Sequence, residues 1–452
     1  MREKQKLLPK LRFPEFREAG EWEEKLIEDF FVVGSSKRVL QQDWTTQGVP
    51  FYRTRELVSL SKNEPFGSEI FISEELFSEI SEKYGLPAEG DFLVSGVGTL
   101  GISYQVQAQD RFYFKDGNVL WFKLKGGIVS TFFKYCFEAD EIQNQILGQA
   151  SISTVGTYTI QNAKVTKFPC PSKIEEQQKN ADFLASLDEL IILEAQQLDT
   201  LKTHKKGLMQ QLFPAEGETL PKLRFPEFRD AGEWENKKLS SLIQLISGLH
   251  LSPDQYSNSG TTPYFTGPSD FTNEIQTVSK WTEESTSIAR ENDILITVKG
   301  SGVGEIFFLA LQSVAMGRQL MAIRSKKGSN RFIYQFLLTK RTRFGDLASG
   351  NLIPGLSRGD ILDLEAHFPS LPEQQKIAEC LASLDDLITA QTQKLAALKT
   401  HKKGLMQQLF PALVELDQNS TVKDSLTVRN QTDHEATTEE YSAVHRGKRD
   451  KK

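Results

Sequence analysis

Two segments of the sequence carry apolar residues at heptad spacing. With Leu184 at position a, both segments place an apolar residue at nearly every a and d position. The polar exceptions fall at the same two heptad positions, as Glu194 and Lys205 in the first segment and as Gln391 and Lys402 in the second. This pattern predicts a coiled coil. The apolar seam positions are Leu184, Leu187, Ile191, Leu198, Leu201, Leu208, Leu212, Leu381, Leu384, Ile388, Leu395, Leu398, Leu405 and Leu409.

Proline ends both segments, at Pro214 and Pro411, because its ring cannot continue a helix. Each helix spans about 39 residues, or roughly 58 Å at the usual helical rise. A single helix would leave its apolar stripe in water, so we expect the two helices to pair. Since a whole domain separates them along the chain, we predict an antiparallel pair with pseudo-twofold symmetry. Pairing between two chains is the alternative.

The second half of the sequence repeats parts of the first. Residues 201–215, LKTHKKGLMQQLFPA, return without change at 398–412. Residues 9–23 return at 221–235 with one Glu-to-Asp change. The order is therefore leader, block, helix, and then leader, block, helix again, which indicates a duplicated unit. We expect the leader to have one structural role in both copies, with aromatic residues such as Trp22 packed against the block that follows.

The blocks between leaders and helices contain short β-rich runs separated by turn residues. In the first block these runs are residues 48–52, 91–95, 101–106 and 118–124, and a helical run follows at 130–147. Such alternation predicts a mixed α/β (α+β) domain.

The second block differs in most of its sequence but keeps landmarks of the first. The PFY at 50–52 corresponds to the PYF at 263–265. This alignment replaces the RTR at 53–55 by Thr-Gly-Pro and pairs Asn118 with Arg318. A shared framework with different side chains is typical of two domains that recognise different targets.

Composition excludes several classes of protein. The chain has 452 residues, of which 38% are hydrophobic and 25% charged, as in an ordinary globular protein. It has no run of 18 apolar residues and no apolar signal core near the N-terminus, so we predict neither a membrane span nor secretion. The three cysteines lack metal-ligand or disulfide spacing, which favours a reducing, cytoplasmic location. The net charge of −6 argues mildly against nucleic-acid binding by the chain as a whole, but leaves room for local basic patches.

Signals for catalysis are weak. The GSGVG at 300–304 resembles a phosphate loop, but no Gly-Lys-Ser/Thr follows, and the strand-like run at 305–310 makes a hairpin turn the better interpretation. The six histidines form no metal-ligand pattern, and no nucleophile motif is present. We therefore predict no catalytic residue, no metal site and no enzymatic activity. An enzyme with an unrecognised site is the alternative.

Basic and polar residues in the turns of the two blocks are candidates for DNA contacts. Arg, Asn and Gln side chains read base edges, whereas Lys, Ser and Thr more often hold phosphates. Taken singly, each candidate is equally compatible with a solvated surface residue. The candidates are Arg53, Thr54, Arg55, Ser95, Thr99, Asn118, Lys299, Ser301, Arg318, Gln319 and Arg358, and Lys115 adds a cation to the turn that contains Asn118.

The combination of these repeats resembles the specificity subunit of bacterial type I restriction-modification systems. The resemblance is carried by the two LKTHKKGLMQQLFP helices, by the EQQK that begins at Glu176 and again at Glu373, by the two LRFPEF…GEWE leaders and by the variable blocks between them. It covers residues 9–412.

The repeats, this resemblance and the polar composition of the last 40 residues together predict five parts of the chain. They are a first target-recognition domain at 9–173, a spacer helix at 174–213, a second target-recognition domain at 214–371, a second spacer helix at 372–412 and a polar tail, expected to be disordered, at 413–452. In such proteins each target-recognition domain reads one half of a split, asymmetric DNA site. The helices form an antiparallel coiled coil that sets the spacing between the halves.

The resemblance also implies the partners of the chain. They are double-stranded DNA, two methyltransferase (modification) subunits docked on the helices, and restriction subunits. The chain itself would hold no cofactor, because S-adenosylmethionine, ATP and Mg belong to the partner subunits. One alternative is a non-catalytic coiled-coil scaffold that presents two ligand-binding domains not specific for DNA. Another, within the family, is an inactive or recombined subunit.

Overall fold

The computed structural model describes residues 6–62, 70–150, 156–284, 287–300, 302–349 and 355–412. These residues divide into two compact units. The first unit runs to Asp188 and resumes at Lys399, and the second comprises Glu189–Leu398. The predicted tail at 413–452 and the candidate Ser301 lie outside the described residues. The division falls within both predicted helices, so each unit contains the start of one helix and the end of the other.

The first unit is a mixed α/β structure. Strands are found within the predicted runs at 48–52, 91–95, 101–106 and 118–124, and two helices cover the predicted helical run at 130–147. Its elements are β1 (Glu23–Leu26), α1 (Ile27–Phe30), β2 (Phe31–Ser35), β3 (Val49–Tyr52), α2 (Thr54–Ser61), β4 (Phe71–Ile72), α3 (Glu74–Tyr84), β5 (Phe92–Ser95), β6 (Ser103–Gln105), β7 (Tyr113–Phe114), β8 (Val119–Leu124), α4 (Ser130–Glu138), α5 (Asp140–Gln149), α6 (Ile160–Val165), β9 (Lys167–Cys170) and the start of α7 (Ile174–Leu212).

Two sheets organise the first unit. One has the antiparallel order β2, β8, β5, β6 and buries Phe31, Phe92 and Phe122 against Phe133 of α4. In the other sheet β3 lies between β4 and β7, and it pairs in parallel with β7. Because β3 and β7 are parallel, the residues that follow each strand emerge at the same edge of the sheet.

The second unit repeats this plan. One sheet has the order β11 (Ile243–Ser247), β18 (Leu320–Ser325), β15 (Ile294–Thr297), β16 (Ile306–Phe308), which matches the order β2, β8, β5, β6 of the first unit. In the other sheet, β12 (Thr262–Phe265) pairs in parallel with β17 (Ser313–Met316), as β3 does with β7. Its elements are the end of α7, β10 (Glu235–Lys238), α8 (Leu239–Leu242), β11 (Ile243–Ser247), β12 (Thr262–Phe265), β13 (Trp281–Thr282), β14 (Ile288–Arg290), β15 (Ile294–Thr297), β16 (Ile306–Phe308), β17 (Ser313–Met316), β18 (Leu320–Ser325), α9 (Asn330–Thr339), α10 (Arg341–Ser349), α11 (Arg358–Leu362), β19 (Glu365–Phe368) and the start of α12 (Leu371–Leu409).

Strand register corrects one detail of the sequence alignment. The amide of Gly96 donates to the carbonyl of Asn118 (2.8 Å), and the amide of Val298 donates to the carbonyl of Gln319 (2.7 Å). Asn118 is therefore equivalent to Gln319, and its predicted pairing with Arg318 is wrong by one residue. The reason is that the turn before β8 is one residue longer in the first unit than the turn before β18 in the second.

The long helices pair in antiparallel fashion within each unit. In the first unit Asp188 of α7 accepts a hydrogen bond from Lys402 of α12 (2.5 Å). In the second unit Lys205 of α7 donates to Asp385 of α12 (2.6 Å). Every predicted apolar seam residue is buried or partly buried. These contacts and this burial are consistent with the predicted coiled-coil seam, which stays a prediction.

The repeated leader forms an ion pair and hydrogen bonds with the first turn of the helix that follows its block. In the first unit Arg12 donates two hydrogen bonds to Glu176 (both 2.7 Å), and the indole of Trp22 donates a third (2.9 Å). Glu176 is 1% exposed. A buried carboxylate requires such a cation, since unpaired burial of a charge is costly. The predicted common role of the leader is therefore a contact with the helix as well as with the block.

The second unit repeats this contact. Arg224 donates to both carboxylate oxygens of Glu373 (2.7 and 2.8 Å), and the indole of Trp234 donates to the same group (3.3 Å). Glu373 is as buried as its counterpart in the first unit. The two leaders therefore have the same structural role.

Candidate nucleic-acid interface

Three predicted residues that follow β3 and one in the turn before β8 meet in the first unit. Arg53, Thr54, Arg55 and Asn118, together with Lys115, line a hollow of about 240 Å³. Tyr52 ends β3 and its carbonyl accepts a hydrogen bond from the amide of Lys115 (2.8 Å), which holds the two turns together. The parallel pairing of β3 with β7 thus brings together residues that lie far apart in sequence.

Buried carboxylates organise the cations around this hollow. Arg53 and Arg55 donate to Glu56 at 2.7 and 3.0 Å. Burial raises the pKa of Glu56, but the hydrogen bonds from Arg53 outweigh it and hold the pKa below its ordinary value. Glu56 therefore stays ionised and orients both guanidinium groups. The side chain of Arg55 remains 61% exposed.

A second carboxylate anchors the neighbouring turn. Asp116 accepts from Lys115 (3.0 Å) and from Arg38 (2.9 Å). Burial raises the pKa of Asp116, but the hydrogen bonds from Lys115 and Arg38 together lower it by more. The pKa of Asp116 therefore lies below its ordinary value. The three cations that line the hollow, Arg53, Arg55 and Lys115, thus contact two carboxylates, Glu56 and Asp116. The excess is positive, although the chain as a whole is negative.

Neutral donors complete the first hollow. The hydroxyl of Thr54 is buried and has no hydrogen-bond partner within the described part of the chain. Asn118 is exposed at the rim. A cationic rim with the exposed amide of Asn118 is suited to binding a phosphate and the edge of a base.

Ser95 ends β5, and Thr99 lies in the turn between β5 and β6. Ser95 is fully buried, where its hydroxyl donates to the carbonyl of Thr99 (2.5 Å) and accepts from the amide of Ile102 (2.9 Å). Its hydroxyl therefore closes the turn and is not presented to a ligand, so we leave Ser95 out of the proposed interface. Thr99 is exposed at the tip of the same turn.

In the second unit, the residues that correspond to 53–55 are Thr266, Gly267 and Pro268, which carry no charge. Gly267 takes the position of Thr54, and a Cβ at Gly267 would lie 2.8 Å from the Oε1 atom of Gln319. Only glycine leaves Gln319 in its place there. A Cβ at Gly300 would lie 3.7 Å from the same atom. The amide of Gln319 therefore occupies space that the two glycines leave open.

Two predicted cations lie beside this amide. Arg318 precedes Gln319 in the turn and is exposed, and its side chain makes no hydrogen bond or ion pair to any residue that the structure describes. Lys299 is also exposed and follows Val298, whose amide binds the Gln319 carbonyl. The structure thus brings Lys299, Arg318 and Gln319 to one edge.

Arg358 does not join this group. Its guanidinium donates to the hydroxyl of Ser247 (2.9 Å) and to the carbonyl of Leu245 (3.1 Å), so it ties the start of α11 to the end of β11. A structural role accounts for these contacts.

A polar cavity in the second unit was not predicted from the sequence. It has a volume of about 290 Å³ and adjoins Asp270, which accepts from Lys280 (3.1 Å) and from Thr266 (2.6 Å). Burial raises the pKa of Asp270, but hydrogen bonds from Thr266 and Lys280 lower it below its ordinary value. The acid and the base are ten residues apart in a region without landmarks, so the sequence offered little signal.

The described residues contain no group of three or more His, Cys, Asp or Glu side chains that could hold a metal ion. In the same part of the chain, no helix is long and apolar enough to cross a membrane.

Comparison with known proteins places this chain in a family. A family model described as type I restriction modification DNA specificity domain matches residues 19–203 and 231–400. The putative type I restriction enzyme MjaX specificity subunit of Methanocaldococcus jannaschii is 25% identical over 352 residues, which cover 76% of this chain and 77% of that protein.

Solved structures share the fold. The type I restriction-modification S subunit from M. genitalium superposes with a TM-score of 0.60 at 16% identity, over 90% of this chain and all of that one. A structure described as the basis of complex assembly and conformational transition of the type I R-M system gives a TM-score of 0.53 at 17% identity, over 87% of this chain and 98% of that one.

These matches confirm the predicted fold class of two mixed α/β domains with two long helices. The prediction that the chain has no catalytic role is confirmed by the family, whose specificity subunits are not catalytic. The chain belongs to the family of type I restriction-modification DNA specificity subunits.

Proposed function

We propose that this chain selects a bipartite, asymmetric DNA site for a type I restriction-modification complex, with one half-site read by each unit. The observation that supports this most strongly is the contrast between equivalent turns on equivalent strands. The first unit presents Arg55, Lys115 and Asn118 where the second presents Arg318 and Gln319. A duplicated framework with different chemistry at the same edge suits two different half-sites.

In the first unit we assign the cations mainly to phosphates and Asn118 to a base edge. The two carboxylates fix the directions of Arg53, Arg55 and Lys115, so the positive rim is already ordered before DNA binds. Each phosphate contact of this kind makes the affinity fall with salt concentration. Asn is suited to an adenine edge, on which it can form two hydrogen bonds.

In the second unit we assign base recognition to Arg318 and Gln319. Arg318 is exposed and its donors match the paired acceptors of guanine. The Gln319 side chain lies where Gly267 and Gly300 leave space for it, and we assign its amide to a base edge. Lys299 would hold a neighbouring phosphate.

We further propose that the two long helices dock two methyltransferase subunits and that restriction subunits join this assembly. Exposed leucines on the helices support a docking role. Leu190 and Leu387 occupy equivalent positions in the two repeats and are 38% and 54% exposed. Apolar side chains on the outer face of a coiled coil are suited to burial by a partner. The domain boundaries implied by the resemblance remain part of this proposal.

Methylome sequencing tests the proposal. A host that expresses this chain with its cognate methyltransferase should gain one bipartite, adenine-methylated motif that a host lacking this chain does not have. Replacement of residues 236–371 by the corresponding block of a relative should change one half of the motif and leave the other half intact. A motif that is unchanged by this replacement would contradict the assignment of one half-site to each unit. Native mass spectrometry of the complex should show two methyltransferase subunits for each chain, and a single one would contradict two docking sites.

A further inference from the structure

The C-terminal ends of α7 and α12 have the same sequence, so they do not distinguish one helix from the other. In the first unit, Leu409 and Phe410 from the end of α12 pack in the core with Trp22. In the second unit, Leu212 and Phe213 from the end of α7 take the same place. Both ends lie inside the repeat that is identical at 201–215 and 398–412. Either end would therefore fit either unit.

The ionic contacts near these ends do not distinguish α7 from α12 either. Asp188 pairs with Lys402 in the first unit, and Asp385 pairs with Lys205 in the second. Because both helices carry Asp and Lys at these repeat positions, α7 could form the same contacts with α7 of a second copy of this chain.

The middle of the helices differs between the repeats. Glu194 and Gln391 occupy the same heptad position, and each is 8% exposed. In the second unit they face each other: the Nε2 atom of Gln391 donates to the carboxylate of Glu194 (2.5 Å) and to its backbone carbonyl (2.9 Å). Lys394 donates to the other carboxylate oxygen (2.6 Å). The first helix has Gln197 at the position equivalent to Lys394.

We infer that Glu194, Gln391 and Lys394, the central triad, make α7 pair with α12 and not with α7 of a second copy of this chain. In a pair of two α7 helices, Glu194 would face Glu194 of the other copy, and Gln197 would stand where the cation is needed. Two carboxylates would then share a nearly buried position without a positive partner, which is strongly unfavourable. In a pair of two α12 helices, Lys394 would face Gln391 and lose its carboxylate.

This device uses a single polar layer for pairing specificity. Buried polar residues in coiled coils commonly fix the choice of partner at some cost in stability. Here the layer lies in the middle of the helices, where the repeats differ in charge, so discrimination does not depend on the identical C-terminal ends.

Zero-length cross-linking of full-length chains refolded together tests the inference. A carbodiimide joins a lysine to a contacting carboxylate. In the native arrangement it should join Lys205 to Asp385 and Lys402 to Asp188. A link from Lys205 to Asp188 reports a pair of two α7 helices, because these residues of one helix are about 25 Å apart. Digestion after acidic residues leaves different flanks on the two repeats, so mass spectrometry separates the links.

Three variants distinguish pairing specificity from simple stabilisation. Glu194→Gln makes the central position the same in both helices, and we expect the Lys205-to-Asp188 link to rise at least tenfold. Lys394→Gln removes the ion pair but leaves Glu194, so it should lower the thermal midpoint without raising that link. The variant E194Q/Q197K/Q391E/K394Q exchanges the triad between the helices and should return the link to the level of the unaltered chain.

Two results would overturn the inference. One is a link pattern in Glu194→Gln equal to that of the unaltered chain. The other is a rise in Lys394→Gln as large as that in Glu194→Gln, because the triad would then act only through stability. The exchanged variant has the same composition and net charge as the unaltered chain, so it controls for general effects of charge.

Discussion

The turns that follow β3 in the first unit and β12 in the second make an informative pair. They continue from equivalent strands, yet the first places Arg53 and Arg55 at an open hollow, and the second has Gly267 beside the side chain of Gln319. The strands beneath them are paired in the same way. The difference shows that the fold depends on strand pairing and buried contacts, whereas the chemistry at the turns can change without altering that frame.

The largest expected effect tests the shared frame. Arg12→Ala and Arg224→Ala should each lower the free energy of unfolding by about 3 kcal/mol, because each leaves a buried carboxylate without its cation. Chemical denaturation measures both losses, and they should be similar because the contacts are the same in the two units. Lys25→Ala, which removes a surface ion pair with Glu23, is the control and should have little effect. A loss in only one of the two arginine variants would break the comparison.

The next effect separates the two turns. Arg318→Ala should weaken binding of the assembled complex to DNA by about 1–3 kcal/mol and relax specificity at one half-site only. Competition binding with DNA that varies each half in turn measures this. Arg358→Ala is the matched control, because the Arg358 guanidinium is bound to Ser247 and Leu245. Equal weakening by Arg318→Ala at all sequences would make Arg318 a phosphate contact.

A smaller effect concerns the positive rim of the first unit. Lys115→Ala should weaken binding about equally for all sequences and reduce the slope of log affinity against log salt by about 1, as expected for one lost phosphate contact. Titrations of the complex at several salt concentrations measure the slope. Lys167→Ala, an exposed lysine on β9 of the same unit, should leave the slope unchanged. A sequence-selective loss in Lys115→Ala would instead indicate base contact.

The smallest effect is a pH dependence. The folded-state pKa of Glu56 lies below its ordinary value, so its contribution to stability is present above the unfolded pKa of about 4.3 and is lost as pH falls through the folded value. Glu56→Gln should therefore lower the thermal midpoint at pH 7, and the difference from the unaltered chain should shrink below about pH 4. Asp270→Asn should behave alike in the second unit, since the pKa of Asp270 is lowered in the same way. A difference that persists at low pH would argue against an ionic role.

Much of the architecture was readable from the sequence because it depends on periodicity and repetition. The coiled-coil seam and the strands at 91–95 and 118–124 follow from short-range patterns. The contact of Arg12 and Trp22 with Glu176 was not readable, because its partners lie far apart in sequence and Glu176 looks like an ordinary residue at a helix start. Long-range ion pairs leave no local pattern.

The candidate site was readable in part. The sequence indicated Arg53, Arg55 and Asn118, but only the parallel pairing of β3 with β7 brings them to one hollow. The burial of Ser95 could not be foreseen, since a serine in a glycine-rich turn can face either way. The misalignment of Asn118 arose from one extra residue in a turn, which leaves the apolar landmarks on both sides unchanged.

The two ends of each block lie side by side in a short antiparallel strand pair. Glu23 at the start of β1 pairs with Cys170 at the end of β9, and Glu235 at the start of β10 pairs with Phe368 at the end of β19. The leader contacts the helix directly beyond this strand pair, through Arg12 and Glu176 in the first unit. Because the two ends of a block lie side by side, a block of different length could be inserted at the same strand pair. The contact between the leader and the helix would stay the same. If the proposed function holds, a new half-site could be acquired by exchange of one block, without any change to the sequence of the long helices.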